Sequence, residues 1–233
     1  MNKKFRYTIN EVQYIFGNII LTHFREFYNF IKYNPFQMYI TGGILREIIA
    51  DDYLHDHHDL THIPYNRFFE DSEIDVIVEN MTLNEYLESI KIAERRYNLV
   101  NLGMSNISGK CISTKLGIRN EEDKRFMNIL YFGRENAKTT VSRFDYRFNT
   151  LLFNPKLIKF DTEVLSEEDF YNIVYDIIEK KINVLDNPIW DLSKTMLKLS
   201  RFISRGFTID KDNYQVLSNL IYSKIEEQEK EVL

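Results

Sequence analysis

Apolar residues recur every three or four positions from Val12 through Ile15, Phe16, Ile19, Ile20, Phe24 and Phe27 to Ile31, the period of one buried helix face. The pattern predicts a helix over 11–32. Asn34-Pro35 ends it, because a residue before proline avoids the helical region. Met38-Tyr39-Ile40 is a short apolar run, then Thr41-Gly42-Gly43 leads into a helical pattern over 44–50. This reads as strand, glycine turn, helix. Residues 51–72 are polar, aperiodic and rich in His and Asp, the mark of a long loop. Ile74 to Val78 is a buried-strand pattern, and 82–97 a helix opened by a Thr82/Glu85 capping box. Strands follow at 98–102, 111–118 and 125–132, with a charged turn over 119–124. A strand-turn piece at 148–153 and 157–160 surrounds Asn154-Pro155. Beyond Ser166 the pattern is helical over 167–180, 189–204 and 213–229. The expectation is an α+β domain over 1–163, a mixed sheet with helices, followed by a small all-helical part over 164–233.

Composition narrows the partners. The chain of 233 residues carries 30 basic and 35 acidic residues, a net charge of −5. A generally basic nucleic-acid coat is excluded, so any nucleic-acid site is a local patch. A single cysteine, Cys111, excludes an intrachain disulfide framework and a thiolate zinc cluster, and reads as a core residue. There is no secretory leader pattern and no run of about 18 apolar residues. The expectation is a cytoplasmic protein with no membrane partner.

Two local features carry chemistry. Gly42-Gly43 precedes a helix with Arg46 just inside it. Unpaired amides at a helix N-terminus favour an anion, and glycine lets a phosphate approach the backbone. Alone, such a pair is a tight strand-to-helix turn. Glu73-Ile74-Asp75 places two carboxylates on one side of a strand. Side by side they repel unless a cation bridges them, and Mg²⁺ takes carboxylate oxygens plus substrate phosphates. Alone, the pair is a solvated strand end.

Together, Tyr39-Ile40-Thr41-Gly42-Gly43-Ile44-Leu45-Arg46-Glu47-Ile48-Ile49 and the acid-x-acid strand resemble the nucleotidyltransferase superfamily that includes DNA polymerase beta. More narrowly they resemble bacterial CCA-adding enzymes and poly(A) polymerases, whose signature is Gly-Gly-x-Val-Arg-Asp-x-Leu-Leu followed by Asp-x-Asp. Asp145-Tyr146-Arg147-Phe148-Asn149-Thr150-Leu151-Leu152-Phe153 is similar to the family's Asp-Phe-Thr-Ile-Asn-Ala-Leu segment, and Arg143 stands where its first preceding Arg would be. Met196 to Phe202, then Gly206-Phe207-Thr208-Ile209-Asp210, is similar to the neck helix and its Gly-Phe turn. The matched blocks cover residues 38–50, 73–78, 143–153 and 194–210.

The resemblance implies a nucleotidyltransferase head domain followed by a neck-like domain. It implies Glu73 and Asp75 as catalytic, metal-holding acids, with Mg²⁺ or Mn²⁺ as cofactor. Gly42, Gly43 and Arg46 would hold the triphosphate of an NTP such as ATP, and Asp145 and Asn149, with Arg143, would lie against the incoming nucleotide. The expected reaction moves a nucleoside monophosphate to an acceptor hydroxyl, an RNA 3′ end with tRNA first, releasing pyrophosphate. Lys194, Lys198, Arg201 and Arg205 recur on one helix and form a basic stripe that could track RNA, or else a surface stripe near the fold's own acids.

This chain also departs from the family. Glu73 replaces an Asp, pushing its carboxylate roughly 1 Å further out, and Mg²⁺ tolerates poor geometry badly. Asn128 stands where a third carboxylate often comes, keeping a metal-capable oxygen without charge. The base-reading Glu-Asp-x-x-Arg element is not recognisable in Asp191-Leu192-Ser193-Lys194-Thr195. The loop over 51–72 is longer than the family's link, and the helical body and tail that grip tRNA are expected to be largely missing. These departures support a rival expectation, a catalytically degenerate fold that binds nucleotide or serves as a subunit beside a protein partner. A third expectation is transfer to a protein or small molecule. His55, His57, His58 and His62, with nearby aspartates, read as a solvated loop in preference to a metal site.

Overall fold

The computed structural model describes residues 8–55, 73–107, 109, 111–120, 122–160, 166–186 and 192–231, without the side chains of 51–55 and 224–231. The histidine-rich stretch 56–72, Asp191 and the expected domain boundary at residue 163 lie outside the described residues. The protein is mixed α+β. Its N-terminal helices are α1 (Ile9–His23) and α2 (Arg25–Tyr33). Then come β1 (Met38–Thr41), α3 (Gly43–His55), β2 (Glu73–Val78) and α4 (Leu83–Arg96). The strands β3 (Leu99–Ile107), β4 (Cys111–Ile118) and β5 (Phe126–Tyr131) follow, then a short helix α5 (Ala137–Val141). A 3₁₀ turn at Arg147–Asn149 precedes β6 (Phe153–Asn154) and β7 (Lys159–Phe160). The C-terminal part holds α6 (Glu167–Ile178), β8 (Lys181–Ile182), α7 (Leu192–Ser204), β9 (Thr208–Ile209) and α8 (Lys211–Glu231).

Seven strands form one sheet in the order β3-β4-β5-β2-β1-β6-β7. β2 and β5 run parallel, and the other pairs are antiparallel. The C-terminal part is helical apart from the two-residue parallel pair of β8 with β9. One sheet face carries Met38, Ile40, Ile74, Val76, Met127 and Ile129, all buried in the main core with Phe16, Phe27 and Phe30 of the N-terminal helices. Each fully buried ring of this kind contributes about 2–3 kcal/mol by leaving water. The opposite face carries Tyr39, Ile77 and Leu130, a smaller cluster closed by Ala137 and Val141 of α5. Beyond that cluster this second face bears the polar residues Asp75 and Asn128, paired in register.

The helix expected over 11–32 is broken. Phe24 leaves helical geometry at φ −133° and ψ 36°, with its ring fully buried. The guanidinium of Arg125 donates to the carbonyl of His23, satisfying an acceptor that the break exposes. The capping box at Thr82/Glu85 is present as expected, with Glu85 accepting from the Thr82 amide at 2.7 Å. The strand expected over 148–153 is instead the 3₁₀ turn and a two-residue strand. Backbone bonds from Arg147 to the Asn183 carbonyl and from Leu185 to the Asp145 carbonyl pull this segment toward the C-terminal part. A bidentate pair of Arg147 with the buried Asp176, 2.7 Å on each arm, fixes it there.

Candidate active site

β1 and β2 pair so that Thr41 lies opposite Asp75. The chain then turns through Gly42 into the first turn of α3. Gly42 has φ +78°, a conformation glycine adopts without penalty. A β carbon at position 42 would lie 2.6 Å from Oδ2 of Asp75. The glycine turn and the second acid therefore touch. Thr41 locks the end of β1 by donating its hydroxyl to the Leu151 carbonyl at 2.8 Å. The first turn of α3 holds no acidic residue to compete for its amides.

Glu73 is exposed and Asp75 half-buried, both on the same sheet face, and Asn128 lies beside Asp75 on β5. The Asn128 amide nitrogen donates to Asp75 Oδ1 at 3.1 Å and to Glu73 Oε2 at 3.3 Å. Burial pushes the Asp75 carboxyl up to about 6, helped by the charge of Glu73 and opposed by the Asn128 bond, Lys198 and Arg46. Burial beside a second acid disfavours the charge of Asp75, a cost that a bound cation would relieve. Among the described residues no group of three or more His, Cys, Asp or Glu converges as a metal cage. Two carboxylates and an amide oxygen instead fit a hard divalent ion that completes its shell with water and substrate oxygens. For Asn128 to join, its amide must turn over and present oxygen.

A cavity of about 280 Å³ opens in front of these acids, lined by Gly42, Gly43, Arg46, Glu73, Asp75, Asn149, Lys198, Arg201 and Arg205 among others. Among the described lining residues two are acids and four are cations, with Arg46 and Arg205 paired to Glu47 and Lys198 to Asp145. Arg46 is buried, and its guanidinium lies 4.8 Å from the ring of Phe202 on α7 and 5.7 Å from that of Phe148. It donates to Asn149 Oδ1 at 2.9 Å and pairs with Glu47 at 3.3 Å. Burial lowers its pKa, an effect Glu47 partly offsets. The rings and the amide oxygen hold this cation at a fixed place beside the glycine turn.

The remaining candidates fall in different places. Arg143 pairs with Glu135 and is not among the residues lining the cavity. Asp145 is buried behind the wall, accepting from Thr195 Oγ1 at 3.2 Å and from Lys198 Nζ at 2.6 Å. It meets the cavity through Lys198. Of the basic stripe, Lys198, Arg201 and Arg205 line the cavity, and Lys194 does not. Cys111 is buried in the smaller cluster, which pushes its thiol up to about 12, so it is an inert core residue. Sequence reasoning gave no role to Thr41, Leu130, Phe144 and Phe202, which also line the cavity. Phe202 stood within a matched block, but its partner Arg46 is remote in sequence.

No protein-family model and no curated protein matches the chain. Solved structures do resemble it. A tRNA-processing enzyme in apo form I matches at 18% identity and a TM-score of 0.46, covering 94% of this chain and 49% of that one. A tRNA-processing enzyme with CTP matches at 17% identity and a TM-score of 0.45, covering 82% and 44%. An apo form 2 of a tRNA-processing enzyme matches at 16% identity and a TM-score of 0.47, covering 86% and 49%. The chain spans about half the length of these structures. Among the described residues no helix is long and apolar enough to cross a membrane.

Proposed function

We propose that the protein is a nucleotidyltransferase that moves a nucleoside monophosphate from an NTP to an acceptor hydroxyl, an RNA 3′ end, with release of pyrophosphate. One observation carries this reading: Glu73 and Asp75 share one cavity with the Gly42-Gly43 turn and with Arg46, Lys198, Arg201 and Arg205. Acids beside glycine amides, with cations in the same cavity, suit a triphosphate bound with a metal ion. A divalent cation, Mg²⁺ or Mn²⁺, held by Glu73 and Asp75 would lower the pKa of the attacking hydroxyl and offset the charge of the leaving pyrophosphate. The Gly42-Gly43 amides and Arg46 orient the phosphates. Lys198, held by Asp145, adds a positioned charge opposite the acids. The division at residue 163 then separates a catalytic head from a helical part that supplies Lys198, Arg201 and Arg205.

Incubation with each radiolabelled NTP, Mg²⁺ or Mn²⁺, and tRNA or a short RNA tests the reading. Labelled product is expected from the wild type and none from Asp75→Ala. Product formation at the wild-type rate by Asp75→Ala rules out the assignment of the acids. A second reading rests on Asn128, whose amide donors already bridge both carboxylates. There the same cavity binds NTP without turnover, within a complex. NTP binding with no labelled product under any acceptor selects it.

A further inference from the structure

The open sheet face continues past the acids. In register, Glu73 is flanked by Phe126 and then Gly117, and Asp75 by Asn128 and then Lys115. Residues paired this way project to one face, and adjacent strands lie about 4.8 Å apart. Lys115 is therefore two strands, about 10 Å, from Asp75 on the same face. There a groove of about 510 Å³ runs along β3, β4 and the β4–β5 turn. Its floor is Gly117, where a β carbon would meet the Leu102 side chain at 2.8 Å. Leu102 sits at an irregularity in the β3–β4 pairing, and Leu102 and Val100 form an apolar wall. Among the described residues that line the groove, Lys115, Arg119, Lys124 and Arg125 stand with one acid, Asp123, which pairs with Arg125. The aromatic ring of Phe126 lies at the end nearest Glu73, with the Lys115 ammonium 3.4 Å from its centroid. In a chain of net charge −5, this is a concentration of cations in a place the catalytic cavity does not use.

We propose that this groove is the track for the acceptor strand: a single-stranded polynucleotide whose last nucleotides pass over Phe126 and whose 3′ hydroxyl reaches Glu73 and Asp75. The inference rests on the transferase reading and extends it by giving the acceptor a path. A cationic groove with an aromatic platform is the chemistry that binds a single strand without demanding a sequence. Lys124 meets a phosphate; Lys115, which rests over the Phe126 ring, swings to a phosphate as the strand enters and leaves that ring, with the Leu102 wall, to meet base faces. The groove is shallow and open on one side of the sheet, so it suits an unpaired end. The basic residues of α7 remain on the triphosphate side, which separates the two substrates by charge cluster.

The test uses the full chain and 5′-fluorescein-labelled oligoadenylate and oligocytidylate, each as RNA and as DNA, read by anisotropy across a salt series. Lys115→Gln/Lys124→Gln is expected to weaken binding about tenfold and to reduce the salt slope by about 1.4, about 0.7 for each phosphate no longer neutralised. Lys124→Gln alone, at an exposed position, is expected to give about half the slope change. Binding of a fluorescent NTP is expected to stay unchanged in both variants. The stronger of the RNA and DNA arms identifies the sugar. Wild-type oligonucleotide affinity in the double variant, absence of binding to all four oligonucleotides, or an equal loss of NTP binding overturns the inference. The two readings fail separately. Oligonucleotide binding that depends on Lys115 and Lys124, with no nucleotide transfer, removes the enzymatic reading and keeps the groove. Transfer to an oligonucleotide that is indifferent to both substitutions keeps the enzyme and removes the groove.

Discussion

Lys198 on α7 holds its ammonium 2.6 Å from Oδ2 of Asp145, a carboxylate whose side chain has no exposure, while Lys198 itself remains 36% exposed. The two ends of this pair are unequal. Without Asp145 the ammonium can turn into the water of the cavity. Without Lys198 the carboxylate stays buried and loses a charge-assisted bond, while the Thr195 hydroxyl still donates to it. Lys198→Met is therefore expected to destabilise the fold more than Asp145→Asn, because it takes a cation from a buried carboxylate while the second change frees an ammonium that water can reach. Urea unfolding of the two variants checks the ranking, and an equal or reversed order removes Asp145 as the anchor of Lys198.

Asp75 is held in the fold at a cost. Its folded pKa of about 6 lies above the ordinary 3.8, because burial and Glu73 disfavour its charge. The folded state then binds the proton more tightly than the unfolded chain, so this group's contribution to stability rises as pH falls from 6 toward 4. Asp75→Asn removes the penalty. It is expected to stabilise the metal-free protein at pH 7 by about 2 kcal/mol, allowing for the partial exposure of Asp75, and to gain little at pH 4. If Glu73 and Asp75 hold the ion as proposed, Mg²⁺ or Mn²⁺ is expected to raise the melting temperature of the wild type and not that of this variant. Thermal unfolding in EDTA and in each metal measures both effects. A destabilised variant at pH 7 contradicts the strain.

The two glycines of the turn differ in what they do. Alanine at 42 meets both a positive φ and the Asp75 carboxylate, whereas a β carbon at 43 stands 3.4 Å from the end of the flexible Arg46 side chain. Gly42→Ala is expected to cost about 2 kcal/mol from backbone strain and the displaced acid, and to abolish transfer. Gly43→Ala is expected to fold with near-wild-type stability and to raise the KM for NTP, through the added methyl group beside the phosphates. Melting temperatures and initial rates of the pair distinguish the roles. Equal destabilisation by both substitutions overturns this division.

What could be seen in the sequence was what is local. The Thr82/Glu85 box and the run from Cys111 to Ile118 carry their structural reasons within a few residues, and both elements form where their patterns place them. The glycine turn and the acid pair were visible for the same reason, each being a contiguous motif. The break at Phe24 was not, because its compensation comes from Arg125, 102 residues beyond His23. The helix Ala137–Val141 has five residues, three of them β-branched, and is too short to show a period. Arg46 against the Phe148 and Phe202 rings, and Lys198 on Asp145, are side-chain meetings across elements that no spacing encodes.

Arg125 also sets a second titration. Burial, and then the nearby charge of Arg125, holds the His23 imidazole below its ordinary pKa, so the folded state keeps it neutral. The unfolded chain takes up that proton as pH falls through about 6.5, and the folded chain resists it. Stability from this group is therefore full above pH 7 and is lost as pH falls below about 6.5. Asp75 works in the opposite direction over an overlapping window, so the two partly cancel in the wild type. In an Asp75→Asn background the loss from His23 is expected to emerge as a decline in unfolding free energy between pH 7 and pH 5. Adding His23→Phe is expected to flatten that decline, while retaining an aromatic side chain in the core beside Phe24. Urea midpoints across the pH series read this directly. A decline that persists unchanged in the double variant assigns the titration to another group and removes His23 as its source.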